Sequence, residues 1–267
     1  MAERVELEDV TLAYEERSGH REAPTIVFVH GLGGSIHSWW AQLAACEERG
    51  YRAVAYDQRG AGLSSKPPGP YSVELWASDL ARVLDVLEIE RPMLVGHSVG
   101  CMVSEHASVL ESDRIAGLMT IGGALQWRAE AAPVFEERVR LARAGRMDEI
   151  AVTVVGTGLS ESRRREDPVL TGLLRDLIAS NDPRAYADSS AATAVGRMVD
   201  TDRVACPTLA CCGEHDPVTP PSFAQAIADS IPNGRTAVVD GAAHWCHLEA
   251  PEAVNEILLA FAHEIAT

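Results

Sequence analysis

The sequence predicts an α/β fold: a mostly parallel, eight-stranded sheet with helices on both faces and a block of helices inserted before its last strands. Three observations carry that prediction. Short continuous apolar runs alternate with segments whose apolar residues recur at helical spacing. One run, Met93-Leu94-Val95, feeds Gly96-His97-Ser98-Val99-Gly100 and then at once a helical pattern. Strand runs vanish between residues 124 and 200 and resume afterwards, which divides the chain into a core, 1–123 with 201–267, and a helical lid, 124–200.

Residues 4–17 alternate Val5, Leu7, Val10, Leu12 and Tyr14 with charged neighbours, the pattern of an antiparallel hairpin at a sheet edge. Thr25-Ile26-Val27-Phe28-Val29 is apolar without alternation and suits a parallel strand buried on both faces. A helix near 38–49 leads to a strand at Arg52–Asp57. Past the proline-rich turn at 67–70, Ser72 is placed to cap a helix whose inward stripe is Val73, Trp76, Leu80, Val83, Leu84 and Leu87. The strand at 93–95, the helix after Ser98 and a buried strand at Ile115–Ile121, closed by Gly122-Gly123, come next. Within the lid, Val169/Leu170, Leu173/Leu174 and Leu177/Ile178 repeat every four residues. Asp167-Pro168 and Asp182-Pro183 each read as a cap followed by proline at the first helical position. A strand at Thr208–Cys212, a helix at 221–230, a strand at Thr236–Val239 and a closing helix at 251–266 finish the chain.

The chemistry concentrates where strands end. A Gly-x-Ser-x-Gly between strand and helix forces a tight reversal that lifts the Ser98 hydroxyl clear of its neighbours. Gly96 and Gly100 are required because a Cβ at either place collides as strand and helix pass. The Val99 N–H, first in its helix, points at a developing oxyanion. His30-Gly31-Leu32-Gly33-Gly34-Ser35 follows another strand but lacks both the phosphate-binding glycine spacing and a lysine. Its expected role is to offer the Leu32 N–H as a second oxyanion donor, with His30 holding the loop by hydrogen bonds. Asp57 is expected to fix its loop through an ion pair with Arg59, and the triplet Arg163–Arg165 to lie in a solvated loop. Asp216 and His244 each stand just past a strand's carboxyl end, on the sheet edge that Ser98 occupies. His244 fits the general base and Asp216 the group that orients it. His247 is the rival base, nearer the closing helix, and Glu214 and His215 fit plain loop positions.

Ser98, then Asp216, then His244, is the order used by the α/β-hydrolase superfamily, which the chain resembles nearly end to end. Within it, Tyr56-Asp57-Gln58-Arg59-Gly60, Pro67–Ser72, Arg138–Ile150, Asn181–Tyr186 and Asp216–Pro221 are similar to the 3-oxoadipate enol-lactonase group. Residues 151–168, rich in glycine and arginine, depart from the bulky aromatic stretch of that group. Val99-Gly100-Cys101 is also similar to small-lidded ester hydrolases and to hydrolase-fold signalling proteins. The resemblance implies the α/β-hydrolase fold and a serine hydrolase that cleaves a small carboxylic ester or lactone through an acyl-serine. Three alternatives share its triad: carbon–carbon bond hydrolysis, cofactor-free perhydrolysis, and a slow-turnover ligand receptor.

Composition narrows the partners. The chain has 267 residues, enough to bury a full core. Its net charge of −16 repels polyanions at long range and argues against nucleic acid or an anionic membrane, though a local basic pocket can still hold a small anion. No apolar stretch reaches the roughly 20 residues of a membrane span. The six cysteines are scattered in apolar runs, and Cys211-Cys212 on one strand face opposite ways; both readings fit buried thiols in a reducing cytoplasm rather than a metal site. No cofactor and no metal are expected, the partner is a small-molecule substrate, and the protein is a monomer or homodimer.

Overall fold

The computed structural model of the protein describes residues 2–19 and 23–267. Among them, eight strands form one sheet: β1 (Glu3–Glu6), β2 (Thr11–Arg17), β3 (Thr25–Val29), β4 (Ala53–Tyr56), β5 (Pro92–His97), β6 (Gly117–Ile121), β7 (Thr208–Gly213) and β8 (Gly234–Val239). They lie side by side in the order β1-β2-β4-β3-β5-β6-β7-β8. The two N-terminal strands pair antiparallel, β1 with β2 and β2 with β4; every other pairing is parallel. The expected edge hairpin is therefore present, and β5, which carries the serine motif, runs between β3 and β6.

Strands β3 to β6 are buried along their whole length because helices cover both faces. Helices α1 (Trp40–Glu48) and α11 (Pro251–Ala266) pack on one side against Ile26, Phe28, Met93 and Val95. Helices α2 (Val73–Val86), α3 (Val99–Leu110) and α9 (Pro221–Ser230) pack on the other, against Val27, Val29 and Leu94. The period of two along each strand thus divides its residues between two cores, and Cys211 and Cys212 fall into different ones, as their adjacency requires. Ser72 caps α2 by accepting from the Leu75 N–H at 3.1 Å. Trp76, Leu80 and Leu84 turn inward, each worth roughly 1.5–3 kcal/mol relative to exposure.

Between β6 and β7 the chain builds five helices over the carboxyl edge of the sheet: α4 (Ala132–Arg143), α5 (Met147–Gly158), α6 (Glu161–Glu166), α7 (Pro168–Ala179) and α8 (Pro183–Ala194). Asp167 and Asp182 cap α7 and α8, accepting from Leu170 N–H at 2.9 Å and Ala185 N–H at 2.8 Å. These helices make a third core of their own, with Leu141, Ile150, Leu174 and Ile178, and it takes in two residues from far along the chain, Trp245 and Leu248. Leu248 belongs to a short helix, α10 (Cys246–Glu249), directly after the His244 loop. The arginine triplet does not lie in a loop, as expected, but forms half of α6, which Ser160 caps through the Arg163 N–H. A serine followed by a short charged run was enough to start a helix there.

Candidate active site

Strand β5 ends by forcing Ser98 to φ 54°, ψ −120°, a conformation that side-chain-bearing residues rarely adopt. Such strain costs on the order of 1–3 kcal/mol and persists only where neighbours impose it. Here the Ser98 N–H donates to the Ile121 carbonyl at 2.9 Å, and the Ser98 carbonyl accepts from the Cys101 N–H at 3.0 Å. The flanking glycines are required for the reason inferred from sequence. A Cβ on Gly96 would lie 2.4 Å from the Gly100 carbonyl oxygen, and one on Gly100 would lie 2.3 Å from that of Val29. Val99 opens α3, so its N–H has no carbonyl four residues back within the helix.

The glycine-rich loop after β3 comes up against this turn. The Gly34 N–H donates to the Gly31 carbonyl at 3.0 Å, closing a turn in which Gly33 takes φ 77°. That positive φ belongs to the third position of a type II turn; Leu32, the second, keeps its N–H clear of the turn's own bond. His30 fastens the loop as expected. Its Nδ1–H donates to the Gly31 carbonyl at 2.8 Å, while Nε2 accepts from the Gln58 N–H at 3.0 Å. Asp57 also fixes loops, but not through Arg59. Its carboxylate accepts from the Ile36 and Leu63 N–H groups, each at 2.7 Å. Arg59 turns instead to a two-point contact with Asp79 and a third with Asp9. Neighbours on a loop need not share a direction.

Asp216 and His244 meet. His244 Nδ1–H donates to Asp216 Oδ2 at 2.8 Å. The other carboxylate oxygen accepts from the Val218 and Thr219 N–H groups at 2.8 and 2.9 Å, and the Thr219 hydroxyl donates to Oδ2 at 2.7 Å. Burial pushes the Asp216 carboxyl up, but the His244 ring and these donors outweigh it and hold it below the usual carboxylate range. A buried carboxylate with this many donors is held in one orientation, and the imidazole follows it. Glu214, which accepts from the Gly241 N–H, and the exposed His215 stay on the outer side of the same turn.

His247, the rival base, is buried at the back. Its ring stacks on Trp39 at 4.5 Å and sits 4.5 Å from His97, and neither ring nitrogen meets a partner among the described residues. His97, inside the pentapeptide, has a part that sequence reasoning passed over: its Nε2–H donates to the His244 carbonyl at 3.0 Å. Burial first, then the neighbouring imidazoles, holds His97 well below the usual histidine range; burial and then His244 push His247 down to about 3. Both rings are therefore neutral in the folded protein and take up protons near pH 6.5 once unfolded. Because the folded values are depressed, the stability these rings contribute is fully present above about pH 6.5 and is lost progressively as pH falls below it. His247→Phe keeps the stack and removes one such term. In urea titrations between pH 6.5 and 4.5 the variant is expected to lose stability less steeply than the parent; parallel curves would contradict the assignment.

Ser98, His244 and Leu32 line one cavity of about 430 Å³, within the size range of small-molecule sites. Its walls are mostly apolar: Val134, Phe135 and Val154 from the helical block, and Pro217, Val218 and Phe223 from the core. Trp127, Arg128, Arg138, Glu130 and the threonines Thr153, Thr157 and Thr193 add the polar groups. The Trp127 Nε1 and Arg138 Nε atoms are buried without a hydrogen-bond partner among the described residues. Arg128 lies over the Phe223 ring at 4.6 Å. Sequence reasoning gave these arginines no role at the site, since nothing local says which helix face looks onto the cavity. Among the described residues, no helix is long and apolar enough to cross a membrane, and no cluster of metal-ligating side chains occurs.

The chain belongs to the alpha/beta hydrolase fold family, which its residues 24–251 match. It is 26% identical over 260 residues to 3-oxoadipate enol-lactonase 2 of Acinetobacter baylyi, covering 95% of this chain and 93% of that protein. The crystal structure of the enol-lactonase from Burkholderia xenovorans LB400 superposes with a TM-score of 0.91 at 26% identity, over 97% of this chain and 99% of that one. A thermophilic esterase from Thermogutta terrifontis, solved with malate bound, gives the same TM-score of 0.91 at 27% identity over 100% of both chains.

Proposed function

We propose that this hydrolase cleaves a small carboxylic ester or lactone through an acyl-serine, and that the acyl part carries a carboxylate. The observation that carries the reading is the strained Ser98 opening onto a cavity shared with His244, whose ring is held by Asp216. In this mechanism His244 Nε2 takes the Ser98 proton as Oγ adds to the carbonyl carbon. The Leu32 and Val99 N–H groups stabilise the resulting oxyanion; one such donor is worth about 2.7–4 kcal/mol in the transition state. Collapse breaks the bond to the leaving oxygen, which receives the proton from His244. Water then repeats the sequence on the acyl-serine and returns the free acid. The neighbours named enol-lactonase and esterase support the same reaction class.

The carboxylate follows from the cavity. Arg128 and Arg138 line it against a single acid, Glu130, in a protein whose net charge is −16. Cations placed there against the overall field suit an anion that has already entered. The test is a panel of lactones and activated esters, each with and without a distal carboxylate, run beside a fluorophosphonate probe located by peptide mapping. The probe is expected on Ser98, and the carboxylated substrates are expected to have kcat/KM higher by roughly 10- to 100-fold, the worth of one charge-assisted contact. No label and no turnover removes the serine mechanism. Equal rates for both substrate sets remove the carboxylate.

A further inference from the structure

We propose that Glu249 is a positioning residue that clamps the general-base loop to the helical block, so that the place of His244 depends on the place of the block. The inference rests on the reading of His244 as the base. Glu249 is 2% exposed and ends α10, five residues after His244. One of its carboxylate oxygens, Oε1, accepts two backbone N–H groups from segments more than eighty residues apart. One is Ser160 at 2.9 Å, in the turn between α5 and α6; the other is Ala243 at 3.2 Å, immediately before His244. Charge-assisted bonds to backbone donors are about twice as strong as neutral ones, and here one atom joins the two segments.

The surrounding contacts follow the same line. The Arg163 guanidinium of α6 donates to the Glu249 carbonyl. The Trp245 N–H donates to the Gly158 carbonyl at 3.0 Å, and a Cβ on Gly158 would lie 2.6 Å from Trp245 Cδ1, so the end of α5 needs glycine for the loop to dock. Trp245 and Leu248 then bury themselves in the core of the block. Residues 158–163 thus hold the base loop from above, while His97 holds the His244 carbonyl from below. The glycine and arginine of this stretch, which set it apart from an aromatic-rich lid, are the residues that make the docking. A block that shifts relative to the sheet carries His244 with it, and a misplacement near 1 Å costs about 100-fold in rate.

Three variants test this. Glu249→Ala removes the clamp; Glu249→Gln keeps an acceptor oxygen for both N–H groups. Ser160→Pro deletes one donor at a residue already at φ −61°, after an extended Leu159 at φ −105°, and is compared with Ser160→Ala, which loses the hydroxyl's cap and its contact with Ser162 but keeps the N–H. Rates are expressed per active site titrated with the phosphonate, so that unfolded protein does not count. E249A is expected to lower kcat by about 100-fold with little change in KM, and E249Q to recover most of the loss. S160P is expected to fall below S160A. Amide exchange is expected to quicken together in peptides 156–164 and 241–249 of E249A. Unchanged kcat per site in E249A, no recovery in E249Q, S160P equal to S160A, or exchange that quickens in only one peptide overturns the clamp. If the parent protein neither turns over nor takes the probe on Ser98, the serine-hydrolase reading fails instead, and paired exchange still decides whether Glu249 joins the two segments.

Discussion

Ser98→Ala is expected to abolish turnover and leave the fold standing. In the proposed mechanism the hydroxyl oxygen forms the acyl bond, and neither His244 nor the oxyanion donors can replace it. Loss of a serine nucleophile in such a constellation costs about 10⁶-fold in kcat. The fold survives because the bonds that hold this turn are backbone bonds, Ser98 N–H to Ile121 and Cys101 N–H to Ser98, and alanine keeps both. Ser98→Gly separates strain from chemistry. It is equally inactive but relieves the φ 54° conformation, and is expected to be more stable than the alanine variant by part of the roughly 1–3 kcal/mol stored there. Chromogenic ester assays and urea midpoints on the two variants measure both effects. Near-parental turnover in the alanine variant ends the mechanism.

Asp216→Asn is expected to cost about 10⁴-fold in kcat with little loss of stability. The reason lies in how the carboxylate is partnered. Oδ1 accepts from two backbone N–H groups, so the asparagine oxygen stays on that side. The amide nitrogen then faces the Thr219 hydroxyl and His244 Nδ1, where Oδ2 was the acceptor. His244 Nδ1 must become an acceptor, which places its proton on Nε2, facing the serine that needs a base. The loop is still bonded, so thermal midpoints should move little while kcat collapses. A modest rate loss across the pH range would show that His244 is oriented by something other than Asp216.

Much of this site is readable from sequence because its parts lie at punctuated places. Ser98, Asp216 and His244 each follow an apolar run and sit among glycine or proline, so strand, turn and chemistry coincide within a few residues. The sheet is equally readable, since doubly buried parallel strands are apolar without alternation. What stays hidden depends on side-chain direction or on long separation. Asp57 and Arg59 are two apart, yet one binds loop N–H groups and the other binds Asp79. Arg138 sits on a helix whose stripe says that one face is buried, not that the other borders a cavity. The Glu249 contacts join residues 160 and 249, and no local pattern reports such a pairing.

The third core has a bearing on how this scaffold can be re-engineered. Trp245 and Leu248 are built into it although they lie beyond the last strand, whereas the other members come from the helices between β6 and β7 or from their immediate neighbours. The transplantable unit that walls the cavity is therefore discontinuous in the chain. A chimaera that exchanges only the five helices with those of a relative leaves Trp245 facing a foreign surface, one residue from His244. The graft that preserves the junction takes residues 245–249 along with the helices.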